Sequence, residues 1–185
     1  MQWIGDVLHF WFDELQPADW FSGAAAIDDL IGARFAALRQ ALKESPPPFE
    51  GLDENGHLAS VIVFDQFSRN LFRGRAEAFA ADRLALSFSS NAIELKLDIA
   101  MAPPHRHFLY MPFMHAEDIA LQDRSVALFT LLGDADLLKF AKAHRDIIAR
   151  FGRFPARNEA LGRVTSEAER DYLETLRRKE AGAGR

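Results

Sequence analysis

Apolar positions recur at helical spacing along almost the whole chain. Ile4, Val7, Leu8, Trp11 and Leu15 mark one face of a helix over residues 2 to 14. Ile27, Leu30, Ile31, Phe35 and Leu38 mark a second, from about Ala24 to Lys43, ended by Pro46, Pro47 and Pro48. A third starts near Asp53 and stops before Gly74. A fourth spans about Ala78 to Leu97, with Pro103 and Pro104 as the next break. His107 to Met114 reads as one short helical turn stopped around Pro112. A clear helix follows from His115 or Ala116 to Leu132, with acids in its first turn and Gly133 as its cap. Asp136 to Phe151 forms the next, and Ser166 with Glu169 makes a capping box for the last. No alternating run of strand length competes. The pattern predicts an all-α domain over residues 1–178, built of antiparallel helix pairs, with residues 179–185 as a fraying tail.

The segment VIVFDQFSRNLFRG, Val61 to Gly74, departs from plain amphipathicity. Leu58, Val61, Ile62, Asp65 and Arg69 follow the spacing of one helical face, which puts a carboxylate in or beside the core stripe. Such a group needs a partner, and Arg69 one turn on can supply it.

Composition narrows the classes. There are no cysteines, so disulfides, thiolate metal sites and cysteine nucleophiles are excluded. This fits a cytoplasmic protein. Sixteen phenylalanines against two tyrosines point to a dry, aromatic interior. Phe10, Trp11, Phe12, Trp20 and Phe21 read as core and its cover. The acidic, interrupted start does not read as a signal peptide, and the apolar runs are too short for a membrane span. The net charge of −5 is uneven, the first 60 residues carrying three basic side chains against ten acidic ones. Arg145, Arg150, Arg153, Arg157 and Arg163 have only Asp146 and Glu159 as sequence neighbours of opposite sign. Such a cluster can hold an anion but lacks the length and lysine content of a nucleic-acid surface.

Three residues stand out for chemistry. His144 lies at the centre of the stripe Leu137, Phe140, Ala141, Ile147, Ile148 and Phe151, where burial favours a neutral ring. It is expected to pair with a carboxylate such as Asp65 or Glu117, either as a satisfied core histidine or as half of an acid–base pair. His115 opens a helix beside Glu117 and Asp118, a set that also suits the helix macrodipole. It lacks the paired histidines of a helical zinc site, so no metal and no cofactor is expected. Arg69, Asn70, Arg153, Arg157 and Asn158 can hold an anionic ligand through guanidinium forks, or can decorate helix ends. No serine sits in a nucleophile elbow and no glycine-rich loop follows a strand. Two functions remain open: a small-molecule site, with Asp65, His115 and His144 as its candidate catalytic groups and Glu117 nearby, or a peptide-binding helical scaffold.

Over nearly its whole length the chain resembles the bacterial domain-of-unknown-function family 924. The resemblance rests on VLHFWFDE, DQFSRNLFRGRAEAFAADRLAL, FLYMPFMHAEDIALQDRSVALF and HRDIIARFGRFPARNEALGR. It implies a tetratricopeptide-like, right-handed superhelical arrangement of helix pairs, and no established activity. Relatives commonly carry proline at the position of Ser68 and often histidine at that of Ala156. The second departure removes a potential base beside Arg157.

Overall fold

The computed structural model describes residues 1–183, and among these there is no strand. Helix α1 (Gln2–His9) runs on into a wider π turn, Phe10–Glu14, and α2 covers Ala25–Glu44. Helix α3 begins at Glu54, widens into a π turn over Ile62–Phe67 and ends as Ser68–Leu71. Asp53 starts it by accepting the Gly56 N–H at 2.8 Å. Then come α4 (Asp82–Glu94), α5 (Pro103–Met114), α6 (Ile119–Leu132), α7 (Ala135–Phe151) and α8 (Glu167–Ala183). The last helix thus runs into the stretch expected to fray, and Gly184 and Arg185 lie outside the described residues.

Helix α3 is the axis of the fold. Every residue from Gly56 to Ser68 is buried, and α1, α2, α4 and α5 pack around it. A helix enclosed on all sides cannot be amphipathic, which is why polar side chains of this segment must find partners inside. Ser60 donates to the Gly56 carbonyl at 2.8 Å, and Ser68 accepts from the fully buried Arg39 at 3.1 Å. Phe10, Phe35 and Phe67 meet edge-on or tilted beside α3, with Trp11 bridging Phe67 to Phe108 of α5.

The second half is sequential: α5 packs on α6 and α6 on α7. Of its turn residues, Gly133 and the Ser166–Glu169 pair are those the sequence predicts. Gly133 adopts φ 80°, which only glycine reaches without strain, and closes α6. Asp118 caps α6 and Asp134 caps α7, each accepting two backbone N–H groups at 2.8–3.0 Å. Ser166 and Glu169 exchange hydrogen bonds as a capping box, at 2.7 and 3.3 Å.

Two expectations need correction. The acids before α6 lie outside it, Asp118 as cap and Glu117 beyond, so the helix begins at Ile119. The stretch His107–Met114 is no short turn but most of a 12-residue helix that passes through Pro112. Proline removes one backbone hydrogen bond there. The helix persists because all eight residues from His107 to Met114 are buried against their neighbours.

Candidate functional site

A cavity of about 330 Å³ opens between α5 and α7. Helix α5 contributes His107, Met111 and Met114, and His115 follows at its end. These lie on one helical face by their spacing. Helix α7 contributes Leu137, Phe140 and His144 by the same rule, and Phe21, from the connection before α2, covers one side. The wall is apolar apart from three imidazoles. A neighbouring cavity of about 360 Å³ shares Phe21, His107 and Leu137 with it.

His115 is anchored from behind. Its Nδ1 lies 2.8 Å from Oδ1 of Asp65, which is completely buried in the π turn of α3. The same oxygen lies 2.9 Å from Nη1 of Arg69, and Gln66 donates to Oδ2 at 2.6 Å. Burial alone would raise the Asp65 pKa. Arg69, then His115 and Gln66, outweigh it and hold the carboxyl well below its usual range. An ionised Asp65 requires the proton of neutral His115 to sit on Nδ1, leaving Nε2 as a lone-pair acceptor. Burial, followed by Arg69, pushes the His115 pKa down to about 4 despite the carboxylate.

The polar network continues outward. Arg69 grips Asp82 with both terminal nitrogens, at 3.0 and 3.2 Å, and donates to the Asp65 carbonyl at 2.8 Å. Arg157 reaches Asp82 at 3.4 Å, donates to the His115 carbonyl at 3.0 Å and lies over the rings of Phe79 and Phe154. Burial raises the Asp82 pKa against the pull of these guanidiniums. Burial, and then Arg69, lowers that of Arg157 to about 10, so it stays charged at neutral pH. Two carboxylates and two guanidiniums thus balance behind the cavity wall.

The expected pair of Asp65 with His144 does not form: His115 occupies that carboxylate. His144 instead donates its Nδ1 proton to the Phe140 carbonyl, one turn back, at 2.9 Å. Its ring stands 6.4 Å from that of His115, centre to centre, and edge-on to Phe154 at 5.5 Å. Burial keeps its pKa below the ordinary value. The structure therefore brings Asp65, His115 and His144 together, in an order that spacing did not reveal.

The proposed anion holders do not converge on the cavity. Arg153 binds Glu169 at 2.7 and 2.9 Å and the Val164 carbonyl at 2.8 Å. Asn70 donates to Asp28 and Asn158 to Thr165, at 2.8 and 3.3 Å. Glu117 accepts both terminal nitrogens of Arg163, at 2.6 and 3.0 Å, and the Phe154 N–H at 2.8 Å. It locks the segment after α7 onto the start of α6. Arg69 and Arg157 face Asp82 rather than the cavity. Each guanidinium expected to hold an anion already has a carboxylate within the protein.

His107 went unnoticed in the sequence. It is 7% exposed, stacked on Phe108, and makes no hydrogen bond to the protein among the described residues. Burial takes its pKa down to about 4, partly offset by Asp134. Its spacing from Met111, Met114 and His115 was the available signal, hidden by the assumption that Pro112 broke the helix. Among the described residues no group of three or more His, Asp or Glu side chains is placed to hold a metal ion.

Fold and site together define an all-helical protein with a buried histidine–carboxylate pair at the wall of an apolar cavity. The chain belongs to a family described as bacterial protein of unknown function (DUF924), whose model matches residues 7–176. It is similar to ATU0120, a protein of unknown function from Agrobacterium tumefaciens whose structure has been solved. The two are 40% identical with a TM-score of 0.87, over 93% of this chain and 97% of that one. No protein of curated function matches the chain.

Proposed function

We propose that this protein binds a small molecule in the cavity between α5 and α7, with the Asp65–His115 pair as its proton acceptor. The observation that carries the reading is the division of labour on one imidazole. Nδ1 of His115 is fixed by a buried carboxylate, while the same residue lines a cavity of ligand size. Fixing Nδ1–H aims the Nε2 lone pair away from Asp65, and the carboxylate stabilises the imidazolium formed when Nε2 takes a proton. Burial keeps that nitrogen unprotonated at neutral pH, so it meets a ligand as a hydrogen-bond acceptor. His144 and His107 are ligand contacts in this reading. Arg69, Arg157 and Asp82 are positioning residues that hold Asp65 and the His115 backbone.

An anionic ligand loses its support, because among the described residues no arginine lines the cavity. The consecutive packing of α5, α6 and α7, joined by short turns, supports a tetratricopeptide-like arrangement of that half. A cysteine-free sequence supports a cytoplasmic setting. No helix of the described residues is long and apolar enough to cross a membrane.

The test is a fragment screen by ligand-observed NMR, repeated on Leu137→Trp, whose indole projects into the cavity. Fragments that bind the natural protein and are displaced in the variant support the site. Hits unaffected by the indole, or no hits at all, sink it.

A further inference from the structure

We infer that the cavity selects a neutral ligand with an apolar body whose N–H or O–H groups donate to His115 and His144, in preference to an anion. This rests on the reading of the cavity as a small-molecule site and names the chemistry of its ligand.

The argument runs through proton positions that the partners dictate. A backbone carbonyl can only accept, so the Nδ1 of His144 that lies 2.9 Å from the Phe140 oxygen must carry a proton. The Nδ1 of His115 must do the same toward Asp65, whose Oδ1 also lies 2.9 Å from Nη1 of Arg69. A neutral imidazole has one N–H, so both Nε2 atoms are lone pairs. Both rings are held neutral at physiological pH by burial, with the nearby guanidiniums acting in the same direction. The cavity therefore offers two acceptors of fixed polarity, on rings whose centres are 6.4 Å apart. One primary amide or one pair of neighbouring hydroxyls carries the two donors that such a pair of acceptors calls for.

An anion fares badly at such a wall. Its lone pairs would face those of the two imidazoles, and among the described residues no cation lines the cavity to compensate. Arg69 and Arg157 stand behind His115 but are balanced by Asp65 and Asp82. A cationic ligand gains little for the same reason, since no carboxylate reaches the cavity. The rest of the lining, Met111, Met114, Leu137 and Phe140 with Phe21 over it, suits an aromatic or alkyl body. His107 completes the set. Buried, unbonded and on the cavity wall, it is the one imidazole of the three whose tautomer no protein partner fixes. It is free to donate to a ligand carbonyl or accept from a third donor.

The experiment uses the full chain, isotopically labelled at histidine, at pH 7.5 with EDTA to keep metal ions off the lone pairs. Long-range ¹⁵N–¹H correlation reads the tautomer of each ring. Benzamide and benzoate are then titrated separately. The expected result is Nε2 unprotonated in both His115 and His144. Benzamide should move both rings' signals and bind at least about tenfold more tightly than benzoate, the scale of one or two mismatched hydrogen bonds. His144→Phe should weaken benzamide about fivefold, the value of one lost hydrogen bond. Finding Nε2–H on both rings overturns the inference without any ligand. Tighter binding of benzoate at these rings overturns it while leaving the site reading intact. If neither compound moves either ring the inference falls, and the site reading is then judged by its own fragment screen.

Discussion

Replacing His107 by phenylalanine should remove a large part of the acid sensitivity of this fold. The site accepts the change: His107 already stacks on Phe108 and stands near Phe21 and Phe129. It has no hydrogen bond to lose to the protein. In the folded state its pKa is about 4 against an ordinary 6.5. Between those values the unfolded chain binds a proton that the folded chain refuses, so stability falls as pH drops from about 6.5 to about 4 and levels off below. Integrated from pH 7.5 to 4.5, that difference is about 2.5 kcal/mol from this one ring, at 1.36 kcal/mol per pH unit. The assay is urea unfolding followed by tryptophan fluorescence at both pH values, for the natural protein and His107→Phe. The natural protein should lose about 2.5 kcal/mol more than the variant on acidification. At pH 7.5 the two should be nearly equal, or the variant slightly more stable. Parallel losses would refute the reasoning, since they would mean that the ring protonates in place, through water in the cavity, without cost to the fold.

Two further substitutions test the architecture. Asp65→Asn keeps the shape but removes the charge that faces Arg69 and His115, and should cost about 3 kcal/mol, the usual scale for breaking a buried ion pair. A calorimetric fall in Tm of less than about 3 °C, equivalent to under 1 kcal/mol in a chain of this size, would contradict that. Gly56→Ala adds a methyl group 2.8 Å from Leu52 Cδ2 and 3.2 Å from its Cβ, at the point where α3 meets the preceding loop. It should destabilise by about 1–3 kcal/mol through overpacking, although alanine favours helix. An unchanged urea midpoint would show that Leu52 simply rotates away.

How far the site was legible follows from the range of its contacts. Most helix positions, though not the helix through Pro112, were read well because apolar periodicity and caps are local signals, as at Asp53, Gly133 and the Ser166–Glu169 box. The burial of Asp65 was also local, visible as a polar residue on an apolar face, and its contact with Arg69 lies four residues away. Its other main partner, His115, lies 50 residues off, and nothing in the spacing distinguishes it from His144. The π turn adds to the difficulty, because a wider turn rotates the faces that a 3.6-residue count assigns. The arginine cluster misled for a related reason. Its charges look unopposed along the chain, yet Asp82, Glu117 and Glu169 come to meet them from α4, from the turn before α6 and from α8. Long-range electrostatic pairing leaves no periodic trace.

The reach of Arg157 has a consequence for how the protein is made. It contacts Asp82 across 75 residues and the His115 carbonyl across 42, from a segment beyond the last helix that lines the cavity. As the chain leaves the ribosome, α3 to α5 can collapse around Asp65 long before that guanidinium exists. For that interval two buried carboxylates share only Arg69. A nascent chain that ends before Arg157 therefore lacks its hydrogen bond to the His115 carbonyl. The last contact on the His115 backbone waits for the segment after Phe151, so the support behind the cavity wall is completed only as the last portion of the chain is made.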